Sequence, residues 1–235
     1  MKRKEVGKKR VAIFDIDGTI FRSSLIIELI DALVQRGIFK GSIAKMYTKE
    51  YQAWLDRRGT YEDYIEAVVR GFMANLKGVS HFEFLKICKE VAEFHKDRVY
   101  RYTRDLVGNL KKKNYYLLAI SNSPKEIAEE FCRKLGFDKV YGRMYETDSS
   151  NKFTGKILYL DIIRDKAKVL KRAVLKEGLT LDGSIGVGDT ESDVAFLKLV
   201  ERPICFNPNK KLYDYAKRKG WEVVVERKDM IYFLQ

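Results

Sequence analysis

Asp15 and Asp17 stand two residues apart at the end of an apolar run, and Gly18 and Thr19 follow them directly. Carboxylates at the tip of a buried strand are costly to desolvate unless a cation offsets them. Much further along, Ser121 and Asn122 bring a hydroxyl and an amide, and Lys166 brings an ammonium. The stretch Gly188-Asp189-Thr190-Glu191-Ser192-Asp193 then adds further acids. Gathered around one pocket, Asp15, Asp17, Asp189 and Asp193 call for a hard divalent ion. Magnesium suits oxygen ligands, keeps several of its waters and bridges to phosphate. Lys166, just inside a helix predicted from the sequence, would balance the charge of a carboxylate and a phosphoryl group. This set points to phosphoryl chemistry, with one carboxylate reaching phosphorus and another the leaving-group oxygen.

Such residues meet only if the chain brings distant strand ends together. Residues 11–17, 116–121 and 184–189 each form an apolar run that ends in polar groups, and residues 203–206 and 222–225 read as further strands. A helical stretch over 209–219 separates the last two. Strands that are apolar throughout and alternate with helices indicate a parallel sheet covered on both faces. The expected class is α/β, a Rossmann-like open parallel sheet, whose ligands sit beyond the carboxyl ends of its strands.

Between the first two strands the pattern changes to helical spacing. Leu25, Ile26, Leu29, Ile30 and Leu33 follow it, as do Tyr61, Tyr64, Ile65, Val68 and Val69, then Phe82, Leu85, Val91 and Phe94. A connection of this length is not a bare loop, so residues 22–100 are expected to form an inserted all-helical cap domain. Residues 1–21 and 101–235 then form the core. Tyr47, Tyr51, Trp54, Tyr61 and Tyr64 are expected to pack the cap interior, and Arg57 and Arg70 to lie on solvated helix faces. Residues 139–157 read as a β-hairpin or flap.

The 235-residue chain is long enough for one such domain with an insertion, and 46% hydrophobic with 34% charged residues describes a folded protein. The net charge of +13 is spread along the chain, with its densest cluster at Lys2, Arg3, Lys4, Lys8, Lys9 and Arg10, read as a solvated tail ahead of the first strand. A small anionic substrate plus surface solubility accounts for it. The alternative is nucleic-acid binding or nucleic-acid end processing on the same core, which oligonucleotide binding at near-physiological salt would reveal. The three cysteines, Cys88, Cys132 and Cys205, lack any paired spacing and are expected to be reduced, buried thiols of a cytoplasmic protein. No membrane span or secretory signal is read. Abundant Lys and Glu with few Gln is the composition of heat-adapted proteins.

The motifs resemble those of the haloacid dehalogenase superfamily of phosphatases. Asp15-Ile-Asp17-Gly18-Thr19 matches its first signature, Ser121 the hydroxyl of its second, Lys166 its third and Gly188 to Asp193 its acidic fourth. The match covers residues 8–20 and about 101–226, and the helical insertion looks like the cap of the subgroup that contains phosphoserine phosphatase. Lys168 lies two residues from Lys166, and the choice between them rests on the family pattern. The resemblance implies that Asp15 attacks phosphorus to form an aspartyl-phosphate. Asp17 would protonate the leaving alcohol and later deprotonate water. Asp15 and Asp189 would hold magnesium through their carboxylates and Asp17 through its main-chain carbonyl. Asp193 would position a metal-bound water or Lys166, although alone it also reads as a first-turn acid facing a helix dipole. Ser121, Lys166 and the backbone near Gly18, Thr19 and Asn122 would hold the phosphoryl oxygens. The implied activity is magnesium-dependent hydrolysis of the phosphomonoester of a small metabolite; transfer to a second alcohol is the variant the same residues permit. Three departures weigh against phosphoserine. Phe21-Arg22-Ser23-Ser24 stands where phosphoserine phosphatases carry an amine-binding glutamate, Asn122 replaces a glycine, and GDTESD replaces GDGAND.

Overall fold

An apolar segment buried on both faces can satisfy its backbone only by laddering to a neighbour on each side. In the computed structural model, which describes residues 8–234, β1 (Lys9–Phe14) does this at the centre of the sheet. It pairs in parallel with β2 (Tyr116–Pro124) on one side and β5 (Leu179–Gly188) on the other. Beyond β2 come β3 (Lys139–Thr147) and the antiparallel β4 (Phe153–Leu158). Beyond β5 come β6 (Arg202–Phe206), β7 (Glu222–Arg227) and the antiparallel β8 (Met230–Leu234). The order β4-β3-β2-β1-β5-β6-β7-β8 is that of an open, mostly parallel α/β sheet, as expected. The chain first builds outward from β1 through β2 and then returns to its other side with β5. Its crossover direction therefore reverses at β1, where such sheets open a crevice.

Between β1 and β2 lie α1 (Leu25–Gln35), a short 3-10 helix, α2 (Thr48–Leu55), α3 (Tyr61–Leu76), α4 (His81–Phe94) and then α5 (Arg101–Lys112). Local chemistry sets their starts. Thr60 and Asp63 form a capping box at α3, and the Ser80 hydroxyl caps α4. The two ends of this helical stretch meet: the Arg22 amide donates to the Arg98 carbonyl at 3.0 Å and the Tyr100 amide to the Ile20 carbonyl at 2.9 Å. The remaining α-helices among the described residues are α6 (Lys125–Leu135), α7 (Leu160–Ile163), α8 (Lys166–Glu177), α9 (Val194–Leu197), which follows a 3-10 turn at Glu191–Asp193, and α10 (Lys210–Lys219).

One apolar cluster runs from Ala12 and Phe14 on one sheet face, through Phe131 of α6, to Phe72 and Phe84 of the helical insertion. The second cluster, on the other face, joins Val11 and Ile13 to Leu170 of α8 and Phe196 of α9. The hairpin of β3 and β4 is wedged into the insertion by its aromatic rings. Tyr145 meets Phe72 at 5.6 Å between centroids, and Phe153 meets Phe84 at 5.0 Å.

Three local readings change. The chain leaves the sheet after Phe14, not at Asp17, because the Ile16 carbonyl accepts the amides of Thr19, Ile20 and Phe21 and turns it. The edge strand β8 was not expected: a turn through Lys228, in a left-handed conformation at φ 55°, folds it back on β7. Lys9 and Arg10, although exposed, already belong to β1 and not to a tail ahead of it, whereas Lys2, Arg3 and Lys4 lie outside the described residues. All three cysteines are free and buried. Among the described residues no helix is long and apolar enough to cross a membrane.

Phe72 is fully buried where rings of α3, α4 and β3 converge. Phe72→Ala is expected to cost about 3–5 kcal/mol in a urea unfolding experiment, the usual range for an aromatic deletion in a packed core. A loss under about 1 kcal/mol would contradict the described packing of insertion against hairpin.

Candidate active site

The turn after β1 places Asp15 first. Its amide still reaches across the sheet to the Val187 carbonyl at 2.9 Å, which holds the residue at the carboxyl edge between β1 and β5. Its carboxylate Oδ1 accepts from Lys166 Nζ at 2.5 Å. Lys166 opens α8, whose start is set by the Asp165 carboxylate accepting the Ala167 and Lys168 amides. The lysine side chain is only 4% exposed. The structure separates the two candidate lysines: among the described residues the Lys168 ammonium reaches only the Asp161 carbonyl, at 3.5 Å on the exposed side.

Asp193 is a strut. Its Oδ2 accepts the amides of Asp189 and Thr190 at 2.9 and 3.1 Å, and its Oδ1 accepts Lys166 Nζ at 2.5 Å. A side chain at Gly188 would start 2.5 Å from the Asp193 Cβ, so this packing requires glycine there. Asp189 is steadied by the Thr19 hydroxyl, which donates to its Oδ1 at 3.2 Å, and Thr103 in turn donates to the Thr19 carbonyl at 2.9 Å. Gly18 has φ +79°, and a Cβ on it would lie 2.1 Å from Asp189 Oδ2. Both its backbone conformation and the close approach therefore exclude other residues.

Asp17 has different company. Its carboxylate accepts the Leu25 amide at the first turn of α1 at 2.5 Å, the Ser121 hydroxyl at 2.7 Å and the Ser123 hydroxyl at 3.0 Å. The helix start and two hydroxyls thus satisfy it without a cation. Ser121 also accepts the Ser123 amide at 2.9 Å.

Burial pushes the Asp15 carboxyl up to about 8, with Asp193 and Asp17 adding to the rise and Lys166 opposing it. Burial likewise raises Asp189, helped by Asp15 and Asp193. Burial pulls the Lys166 ammonium down, but Asp15 and Asp193 outweigh it and hold the lysine above its ordinary value, hence charged. Carboxylates outnumber the ammonium, so the cluster favours further positive charge. Oxygens of Asp15, Asp189 and Asp193 come within 4.8 Å of one another, an all-oxygen set that fits a hard divalent cation. Because N–H donors already occupy both oxygens of Asp193, the oxygens open to such an ion belong to Asp15 and Asp189.

These groups open into a cavity of about 570 Å³. Asp15, Asp17, Asn122, Lys166 and Asp189 line its sheet side; Gly18 is not in the lining, and Ser121, Thr19 and Asp193 reach it only through their hydrogen bonds to Asp17, Asp189 and Lys166. Opposite stand Tyr61, Glu62, Ile65 and Val69 of α3, with Arg70, Arg143 and Arg164 around them. Tyr61, Glu62, Ser123, Arg143 and Arg164 were not singled out as site residues from the sequence. Helical spacing marked Tyr61 as interior, and it is both: one side packs on Trp54 at 5.2 Å and the other lines the cavity. Trp54 and Tyr64 stack at 5.8 Å, as expected of a packed interior. Arg70 is 60% exposed, with loose contacts to Glu50 and Glu66 at 3.8 and 4.0 Å, and lines the cavity as well.

The sequence profile of the haloacid dehalogenase-like hydrolases matches residues 12–198. The chain is 25% identical to a histidinol-phosphatase of Neisseria meningitidis, covering 92% of this chain and 98% of that one. It is also 25% identical to a phosphoserine phosphatase of Mycobacterium tuberculosis, over 90% and 69% of the two chains. A protein of unknown function from Bordetella pertussis shares the fold, with a TM-score of 0.71 at 22% identity and coverage of 92% and 98%. So does a phospho-aspartyl intermediate analogue of phosphoserine phosphatase, at a TM-score of 0.61 and 19% identity over 94% and 95%. The profile match takes in more than half of the chain and every motif from Asp15 to Asp193, so the chain belongs to the haloacid dehalogenase-like hydrolases, as one of their phosphomonoester hydrolases.

Proposed function

We propose that the chain hydrolyses the phosphomonoester of a small metabolite with magnesium, through an aspartyl-phosphate on Asp15. The observation that carries this reading is the contrast between two carboxylates of one cavity. Asp15 is buried against an ammonium and Asp189, whereas Asp17 is held by an amide and two hydroxyls. Two environments of this kind divide labour between nucleophile and proton carrier.

In the first step an Asp15 carboxylate oxygen bonds to phosphorus as the bond from phosphorus to the alcohol oxygen breaks. Asp17, in its acid form, gives its proton to the departing oxygen. In the second step Asp17 takes a proton from water, whose oxygen attacks the same phosphorus, releasing phosphate and restoring Asp15. Lys166 stays charged throughout and balances the phosphoryl oxygens. The Ser121 hydroxyl turns from Asp17 to a phosphoryl oxygen, joined by amides near Gly18, Thr19 and Asn122. Asp15 and Asp189, with the Asp17 carbonyl, would hold magnesium, which supplies the charge that offsets repulsion between carboxylate and phosphate. Asp193 keeps Lys166 and the Asp189 turn in place. Residues 22–100 act as a cap over a core formed by residues 1–21 and 101–235, and they exclude water when substrate is bound. Handing the phosphoryl group to a second alcohol would use the same residues.

The relatives' printed names supply a hint about substrate. Histidinol and serine are both alcohols that carry an amine. The stretch Phe21-Arg22-Ser23-Ser24 stands where phosphoserine phosphatases carry their amine-binding glutamate, but Glu62 faces the cavity from α3. It is half-buried and among the described residues has no hydrogen-bond or ion-pair partner, and burial raises its carboxyl, with Glu191 and Glu66 adding to the rise. An ammonium on the substrate would satisfy it.

Asp15→Asn, folded like the native chain, is expected to lose magnesium-dependent phosphate release from an aryl phosphate by at least about a thousandfold. Comparable turnover by the variant would remove Asp15 as the nucleophile. Chelating divalent ions is expected to stop native turnover and adding magnesium to restore it; turnover that persists in chelator would rule out the metal's role. Glu62→Gln is expected to raise KM for phosphorylated amino alcohols roughly tenfold, the scale of one charge-assisted hydrogen bond. KM for an uncharged aryl phosphate should not move, and an equal rise for both would show that Glu62 does not read the amine.

A further inference from the structure

A second cavity, of about 240 Å³, lies on the other side of the short helix α7 and shares no lining residue with the catalytic one. Val140, Met144, Leu158, Ile162, Ile163 and Val169 give it an apolar lining. Lys139, Arg172 and Lys176 also line it; among the described residues none of the three makes an ion pair, and Lys139 Nζ lies over the Tyr141 ring at 5.9 Å. Lys125 is the fourth cation there and pairs with Glu129 at 3.3 Å. No carboxylate lines the cavity; the acidic group that bears on Tyr141 is Glu177, nearby.

Two further features set this place apart from an ordinary lysine-rich surface. The hydroxyl of Tyr141, a lining residue, is buried without any hydrogen-bond partner. A buried polar atom of that kind is costly until something pairs with it. Tyr159, which leads into α7 and lines the cavity, is held at φ 52° although it carries a side chain, and the residue is 63% exposed. Left-handed backbone at a bulky residue persists only where its surroundings impose it.

We propose that this cavity binds a small amphipathic anion, its short alkyl or single-ring body on the apolar lining and its carboxylate or phosphate against Arg172, Lys176 and Lys139. The volume falls below that of cavities for drug-sized ligands, which limits the body to a short chain or one ring. The location gives the ligand access to the reaction. Ile162 and Ile163 line this cavity, the next residue, Arg164, lines the catalytic one, and Lys166 follows two positions later. A ligand seated here bears on the turn that starts α8.

The test uses the full chain and octanoate as probe, followed by titration calorimetry. Saturable one-to-one binding is expected, weakened at least about tenfold in Arg172→Glu and in Lys176→Glu, the factor for losing a charge-assisted contact. Both side chains lie on exposed positions of α8, outside the catalytic cavity, so a urea unfolding midpoint close to the native one is expected of each variant and confirms an intact fold. The proposal is overturned if octanoate shows no saturable binding, or binds both variants as tightly as the native chain. Weakening of octanoate binding by Arg70→Glu, which lies in the catalytic cavity, but not by Arg172→Glu would place the ligand there and overturn the proposal equally. Binding to phosphatidylglycerol vesicles without binding of free octanoate would assign the patch to a lipid surface instead of a small molecule. Because binding is read directly, these outcomes are independent of whether the proposed hydrolysis is correct.

Discussion

The Lys166 ammonium between Asp15 and Asp193 is the contact on which the remaining geometry depends. All three side chains are nearly or wholly removed from solvent. A buried ion group of this kind adds little net stability, because desolvation consumes most of the Coulombic gain. Its effect is on placement. Removing the lysine would leave uncompensated buried carboxylates, so the chain has one low-energy way to bring α8, the turn after β1 and the turn after β5 together. Asp193 carries the constraint onward: the carboxylate that holds Lys166 also ties down the amides of Asp189 and Thr190.

The same economy links the helical insertion to the chemistry. Asp17 accepts the Leu25 amide, so the carboxylate proposed to move protons also anchors the first turn of α1. Any shift of α1 relative to the sheet is felt at Asp17. Phe21 lies at the junction, bridged to Asp17 on one side and Val99 on the other. Its ring packs on Phe131 of α6 at 5.1 Å, which keeps the entry to the insertion in register with the core. The insertion is therefore continuous with the core's apolar cluster, and the cavity walls contributed by α3 are positioned by packing as well as by the chain connection.

The motif residues were legible in the sequence because each lies at the polar end of an apolar run or the start of a helix, where local pattern and burial agree. Asp15, Asp17, Asn122, Lys166 and Asp189 accordingly share one cavity. The opposite wall was not legible. Tyr61, Glu62 and Ile65 occupy adjacent positions of an ordinary amphipathic helix, and nothing in their spacing distinguishes a face turned to a cavity from one turned to solvent or core. Arg143 and Arg164 come from segments whose own patterns carry no charge signal at all. Ser123 repeats the hydroxyl of Ser121 two positions on, a cue that only the Asp17 carboxylate makes meaningful.

By itself the sequence determined the α/β class, the helical nature of the insertion and the chemistry of the sheet-side residues, because hydrophobic period and strand-end polarity are local properties. Tertiary structure alone decided which oxygens remain open for a cation. That depends on donors up to 170 residues away in the chain, such as Thr19 for Asp189. It also separated Lys166 from Lys168, since two positions along a helix turn a side chain by more than half a revolution, from the buried carboxylates to the exposed side. The faces that α3 and α7 present to their cavities were likewise decided by packing across the sheet, which no run of neighbouring residues encodes.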